Sequence, residues 1–213
     1  MKTRYVVLAI AAGLLFGVLL LWFGMAPKSA ARSDAEMAAL QRPLVASMGR
    51  PDARVHIVEF LDPACETCAD FYPRVKKMLA DNPDRIRLSV RLLAFHKGVD
   101  VAVKALEASK AQGKFWMVLD RLLASQPRWV VQHNVNADAV WEQLRSLDLD
   151  VDRLKADMES PEVKRNMALD AQDAKTLKVT QTPEYFVNGR GLPEFGFAQL
   201  QRLVADETAS AYR

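Results

Sequence analysis

The chain has two cysteines, and both lie in one run, Cys65-Glu66-Thr67-Cys68. Ahead of them stands an apolar, strand-like stretch, Val55-His56-Ile57-Val58-Glu59-Phe60, and residues 69–80 behind them have helical spacing. Both sulfurs are thus placed where a strand hands over to a helix N-terminus. Unpaired main-chain N–H groups and the positive end of the helix dipole stabilise negative charge there, which lowers the pKa of the thiol that opens the helix. Cys65 is the expected nucleophile. One helical turn brings Cys68 within disulfide reach, so a mixed disulfide on Cys65 can be resolved by Cys68.

Other uses of two cysteines fit less well. Zinc would need two further ligands, and His56, His96 and His133 stand singly in the sequence. A structural disulfide across two residues closes so small a loop that it adds little stability. The pattern favours a reversible redox couple, with no metal and no cofactor beyond the Cys65–Cys68 disulfide.

Residues 5–26 carry no charge and are dominated by Leu, Val, Ala, Gly, Phe and Trp. At about 1.5 Å per residue a helix of this length reaches roughly the 30 Å of a bilayer core. Lys2 and Arg4 precede it, which predicts a cytoplasmic tail over 1–4, a transmembrane signal anchor over 5–26 and the remainder outside the cytoplasm. Ser29-Ala30-Ala31 offers the alternative of a cleaved signal peptide and a soluble periplasmic protein. Either way the cysteines face an oxidising compartment.

The net charge of +3 comes from interspersed acids and bases, an ordinary solvated surface with no nucleic-acid patch. Residues 27–49 read as a linker with a short helix broken near Pro43. A strand over 54–61 and the cysteine helix follow, with Pro73 expected to kink that helix. Residues 86–95 alternate as a second strand. From 99 to 177 the period turns helical, with candidate helices at 99–111, 115–124, 137–147 and 161–177, the last opened by Ser160 and Pro161. Trp116, Trp129 and Trp141 fall in this block and read as core. A strand at 184–187, a turn at Asn188-Gly189, a last strand at 192–195 and a helix at 197–209 close the chain.

This order is α/β, a thioredoxin fold with a central mixed sheet and an inserted helical subdomain: first part 50–98, insertion 99–177, second part 178–213. Three segments resemble DsbA-type thiol-disulfide oxidoreductases: residues 48–68 ending in Cys65-Glu66-Thr67-Cys68, then Gly113-Lys114-Phe115-Trp116, then Val179-Thr180-Gln181-Thr182-Pro183-Glu184-Tyr185-Phe186-Val187-Asn188-Gly189. The resemblance spans roughly 44–204. It implies a cis peptide before Pro183, which would pack against the disulfide, and a Thr182 main chain offered to an extended substrate. It also implies that Glu59 is a buried acid beneath the cysteines, raised in pKa and able to take the proton of Cys68. Asp62 is expected on an exposed turn.

The chain departs from this family at several positions. Glu66 and Thr67 stand between the cysteines where strong oxidants of the family often carry histidine. A carboxylate beside Cys65 opposes thiolate formation and a Thr67 hydroxyl donates only a neutral hydrogen bond, which predicts a milder oxidant. Lys178 stands where relatives end the preceding helix with glycine, so a different helix end is expected, and Gln181 replaces a small residue.

The resemblance thus implies an enzyme that exchanges disulfides with protein thiols outside the cytoplasm, an oxidase more than an isomerase, acting as a monomer. Its partners would be cysteine-bearing protein substrates and a membrane redox protein, either a DsbB-like oxidase or a DsbD-like reductant. A reductase or isomerase, a copper-binding module using the two thiolates and a peptide-binding module are the alternatives.

Overall fold

The computed structural model describes residues 32–43 and 45–213. The tail and apolar segment over 1–26 lie outside the described residues. Among the described residues no helix is long and apolar enough to cross a membrane.

The core of the molecule is a five-stranded sheet in the order β1-β3-β2-β6-β7. Strands β2 (Val55–Leu61) and β3 (Ile86–Leu92) are parallel and central, joined by helix α2 (Glu66–Asp81). Strands β1 (Ala46–Met48), β6 (Glu184–Val187) and β7 (Arg190–Gly191) add antiparallel. Both central strands are buried along almost their whole length, as expected for parallel strands covered on two faces. One face packs Val55, Ile57, Leu88 and Val90 into the large core shared with α2, the inserted helices and helix α8 (Phe197–Ala211). The other packs Val58, Phe60 and Phe186 against helix α1 (Asp34–Leu40) and the end of helix α7 (Pro161–Thr176).

The insertion holds α3 (Asp100–Ser109), α4 (Phe115–Ala124), a short hairpin of β4 (Val130–Val131) and β5 (Asn134–Val135), then α5 (Ala137–Arg145), α6 (Val151–Met158) and α7. Trp129 is fully buried in its core, its indole N–H donating to Leu122 O at 2.9 Å, while Trp116 and Trp141 pack against that core partly buried.

Three features differ from the sequence reading. The expected linker contains β1, a three-residue strand too short to show a period. Helix α6 adds a fifth helix to the block, capped by the Asp150 side chain, which accepts from Arg153 N. The last strand is Arg190–Gly191, not 192–195, because the tight Asn188-Gly189 turn sends the chain straight back along β6. Helix α2 carries Pro73 in its interior and continues to Asp81.

On β3, Arg91 shows why the alternate positions are not solvent-facing. It is 1% exposed and donates to Asp170 Oδ1 at 2.6 Å, to Ala39 O at 2.8 Å and to Asp173, which Arg42 also holds. This buried cation ties α1 and α7 to the sheet, each charge having a partner as burial demands.

Candidate active site

Cys65 is the N-cap of α2, with extended backbone at φ −78° and ψ 119°. Its Sγ accepts from Cys68 N at 3.4 Å, and its thiol faces Thr182 O at 3.2 Å. The Cys65 thiol is lowered from 9.0 to about 6, led by the hydrogen bond from the Cys68 thiol. Burial opposes this, while the Cys68 main chain, the Thr182 side chain and the Thr67 main chain add to it. Cys68 lies fully buried one turn on, and burial, with its bond to Cys65 and the charge of Glu59, pushes its thiol well above the ordinary range. The two sulfurs are therefore unequal: one is ready to ionise, the other holds its proton.

Pro183 follows a cis peptide and is buried, and it brings the Thr182 carbonyl to Cys65. Glu59, on β2, is fully buried and accepts from the Tyr185 hydroxyl at 2.8 Å. Burial raises its carboxyl to about 7, with the Tyr185 bond lowering and the Cys65 charge raising it. Its second oxygen, Oε2, is buried without a protein partner.

Asp62 is not on an exposed turn. It is fully buried: Oδ1 accepts from Ala64 N at 2.7 Å, and Oδ2 accepts from Phe95 N at 2.7 Å and His96 N at 3.0 Å. His96 Nδ1 also lies 3.0 Å from Oδ2. Asp62 thereby fastens the loop that carries Cys65 to the loop after β3. Sequence reasoning gave no role to Gln126 either. From a short 3-10 turn it donates through Nε2 to Pro63 O at 2.8 Å and Cys65 O at 3.0 Å, linking the insertion to the cysteine loop.

Of the two residues between the cysteines, Glu66 turns outward and meets His133 Nδ1 at 3.3 Å. Thr67 acts on the Cys65 thiol through its main chain. Lys178 takes the left-handed conformation at φ 59°, with Val179 N bonded to Ala174 O at 2.8 Å. The helix thus ends as a glycine-capped one would, with lysine in the strained position.

Comparison with known proteins places the chain among thioredoxin-like proteins. The family model described as thioredoxin matches residues 43–206. The chain is 33% identical over 144 residues to a Na(+)/H(+) antiporter NhaA of Herminiimonas arsenicoxydans, covering 68% of this chain but only 22% of that protein. The chain therefore spans about a fifth of the length of that relative. It is 29% identical over 171 residues to a probable disulfide bond formation protein D of Bacillus anthracis, covering 76% of this chain and 77% of that one. Among solved structures, a thioredoxin-like oxidoreductase from Silicibacter pomeroyi superposes with a TM-score of 0.71 at 26% identity, covering 85% of this chain and 99% of the other. With the family model matching most of the chain and the fold shared with that oxidoreductase, the chain belongs to the thioredoxin family, in its DsbA-type branch.

Proposed function

We propose that this protein is a thiol-disulfide oxidoreductase that works on protein thiols outside the cytoplasm, with Cys65 as nucleophile and Cys68 as resolving thiol. The observation that carries the reading is the asymmetry of the pair: Cys65 caps the helix and accepts from Cys68 N, while Cys68 is sealed beneath it.

In the oxidising direction a client thiolate attacks Cys65 Sγ of the disulfide. The Cys65–Cys68 bond breaks, and Cys68 leaves with the electron pair and takes a proton, for which the Glu59 carboxyl is the donor. The client's second thiolate then attacks its own sulfur in the mixed disulfide and expels Cys65 as a thiolate. The client is oxidised and the pair is reduced by two electrons. A thiolate stabilised at about 6 is a good leaving group at neutral pH, which favours this direction. Thr182 and Pro183 border the nucleophile, and the Thr182 main chain is the edge that an extended client would meet. Phe95, Phe195 and Val131 are the large apolar side chains left exposed among the described residues. Phe95 and Val131 flank His96 and His133, Phe195 stacks on Phe71 of α2, and all three suit unfolded clients.

Re-oxidation requires a membrane oxidase of the DsbB type, or reduction by a DsbD-type donor if the pair runs the other way. The apolar segment 5–26 would hold the domain beside such a partner. Equilibration of the Cys65–Cys68 disulfide with glutathione tests the direction. A thiol at about 6 lies between those of thioredoxin, about 7, and DsbA, about 3.5, and closer to the first, so the reduction potential is expected between their values of about −270 and −120 mV, on the thioredoxin side of the midpoint. A potential at thioredoxin's value would make the protein a reductase instead.

A further inference from the structure

His96 and His133, far apart in sequence, meet beside the cysteine helix with their ring centroids 6.3 Å apart. Glu66 joins them, and one ligand atom from each of the three residues lies within 4.8 Å of the other two. We propose that Glu66, His96 and His133 form a binding site for a divalent transition-metal ion of the zinc class at the rim of the cysteine helix, a site independent of the two thiols.

Two imidazoles and a carboxylate are borderline donors that suit Zn2+ and its neighbours rather than the hard alkaline-earth ions. Glu66 Oε1 and His133 Nδ1 are already 3.3 Å apart, the spacing of two ligands that share a tetrahedral ion at about 2.0–2.1 Å each. All three ligand atoms lie within 4.8 Å of one another, and any pair wider than about 3.3 Å must close to that spacing to share such an ion. That adjustment is available, since the Glu66 and His133 side chains are 60% and 75% exposed.

His96 is the fixed member. Its side chain is 22% exposed, and the fully buried Asp62 carboxylate takes up its Nδ1, which leaves Nε2 for the ion. A carboxylate behind a ligating imidazole fixes the tautomer and ring direction and raises ligand basicity, the usual support of a histidine metal ligand. Asp62 is itself held by three main-chain N–H groups, so the support is rigid. His133 is placed by the β4–β5 turn, where both Gln132 and His133 adopt left-handed backbone, at φ 50° and 61°. Three protein ligands leave a fourth position for water. The bound ion would join the start of α2, the loop after β3 and the hairpin of the insertion, one residue from Cys65.

The test is a calorimetric titration of Zn2+ into the untagged full chain in non-ionic detergent, with the Cys65–Cys68 disulfide formed so that no thiolate can compete. One ion per chain is expected, with affinity falling at least tenfold in H133A and in H96A and less in E66Q. Cobalt is expected to give visible d–d bands without a thiolate-to-cobalt charge-transfer band, and amide exchange at Gln132 to Asn134 is expected to slow when zinc is added. H133A alters an exposed turn, so retained thiol chemistry shows that it folds. Absence of binding by the oxidised chain, or equal affinity in wild type and H133A, overturns the site and reduces the cluster to an ion pair. Either result leaves the thiol-disulfide reading untouched.

Discussion

Tyr185 donates to Glu59 Oε1 at 2.8 Å from the position directly opposite it in the β2–β6 ladder. The acid and its donor are cross-strand partners, so the backbone register itself sets their distance. One neutral hydrogen bond offsets only part of the cost of burying a carboxylate, and Glu59 stays raised to about 7. An acid titrating there can both give and accept a proton at neutral pH.

Replacing Glu59 by Gln keeps the shape of the side chain and removes this exchange. The step in which Cys68 gains or loses its proton is expected to slow by about 10²-fold, while alkylation of Cys65 changes little. Rapid-quench measurement of mixed-disulfide resolution checks it, and an unchanged rate would remove Glu59 from the mechanism.

The thiolate absorbance of the reduced chain is expected to titrate at about 6 with one group, since Cys68 holds its proton throughout the accessible range. The Cys65 value is depressed below the ordinary 9.0. Ionisation therefore stabilises the reduced fold fully above about 9, and the contribution is lost as pH falls through about 6. Allowing for solvent screening, the gain over Cys65→Ser is about 2 kcal/mol at high pH and vanishes below pH 6. Urea unfolding of the two proteins across that range gives the comparison.

Cys68→Ala leaves the nucleophile without a resolving thiol. The Cys65 thiolate is expected to attack an unfolded client that carries an activated mixed disulfide, expel the activating thiol, and remain linked to the client as a reducible adduct on a gel. Cys65→Ser is expected to give none.

Arg91→Ala leaves the buried carboxylate of Asp170 without its cation and Asp173 with Arg42 alone. Loss of a partner from a buried ion network costs about 3–5 kcal/mol, so the midpoint of urea unfolding should fall sharply. Lys178→Gly acts in the opposite sense. It relieves a left-handed lysine at φ 59° and is expected to stabilise by about 1 kcal/mol.

The strand-to-helix placement of Cys65 and Cys68, the Glu59 position and the Thr182-Pro183 loop were legible because each is local or tied to a motif. Asp62 was misread because its partners, Phe95 and His96, arrive from beyond β3. Gln126 lies more than sixty residues from the carbonyls it holds, and no periodicity marks it. His96 and His133 looked solitary for the same reason: only the folded hairpin brings them together. On strand β3 the alternation was legible, but the partners that allow Arg91 to be buried, Asp170 and Asp173, come from a helix some eighty residues on.

Gln126 spends its amide on two successive anchor points of the cysteine loop, Pro63 and Cys65. The helical insertion and the reactive sulfur are in this way mechanically coupled. Any displacement of the insertion from the sheet would therefore be felt at the main chain of Cys65 itself.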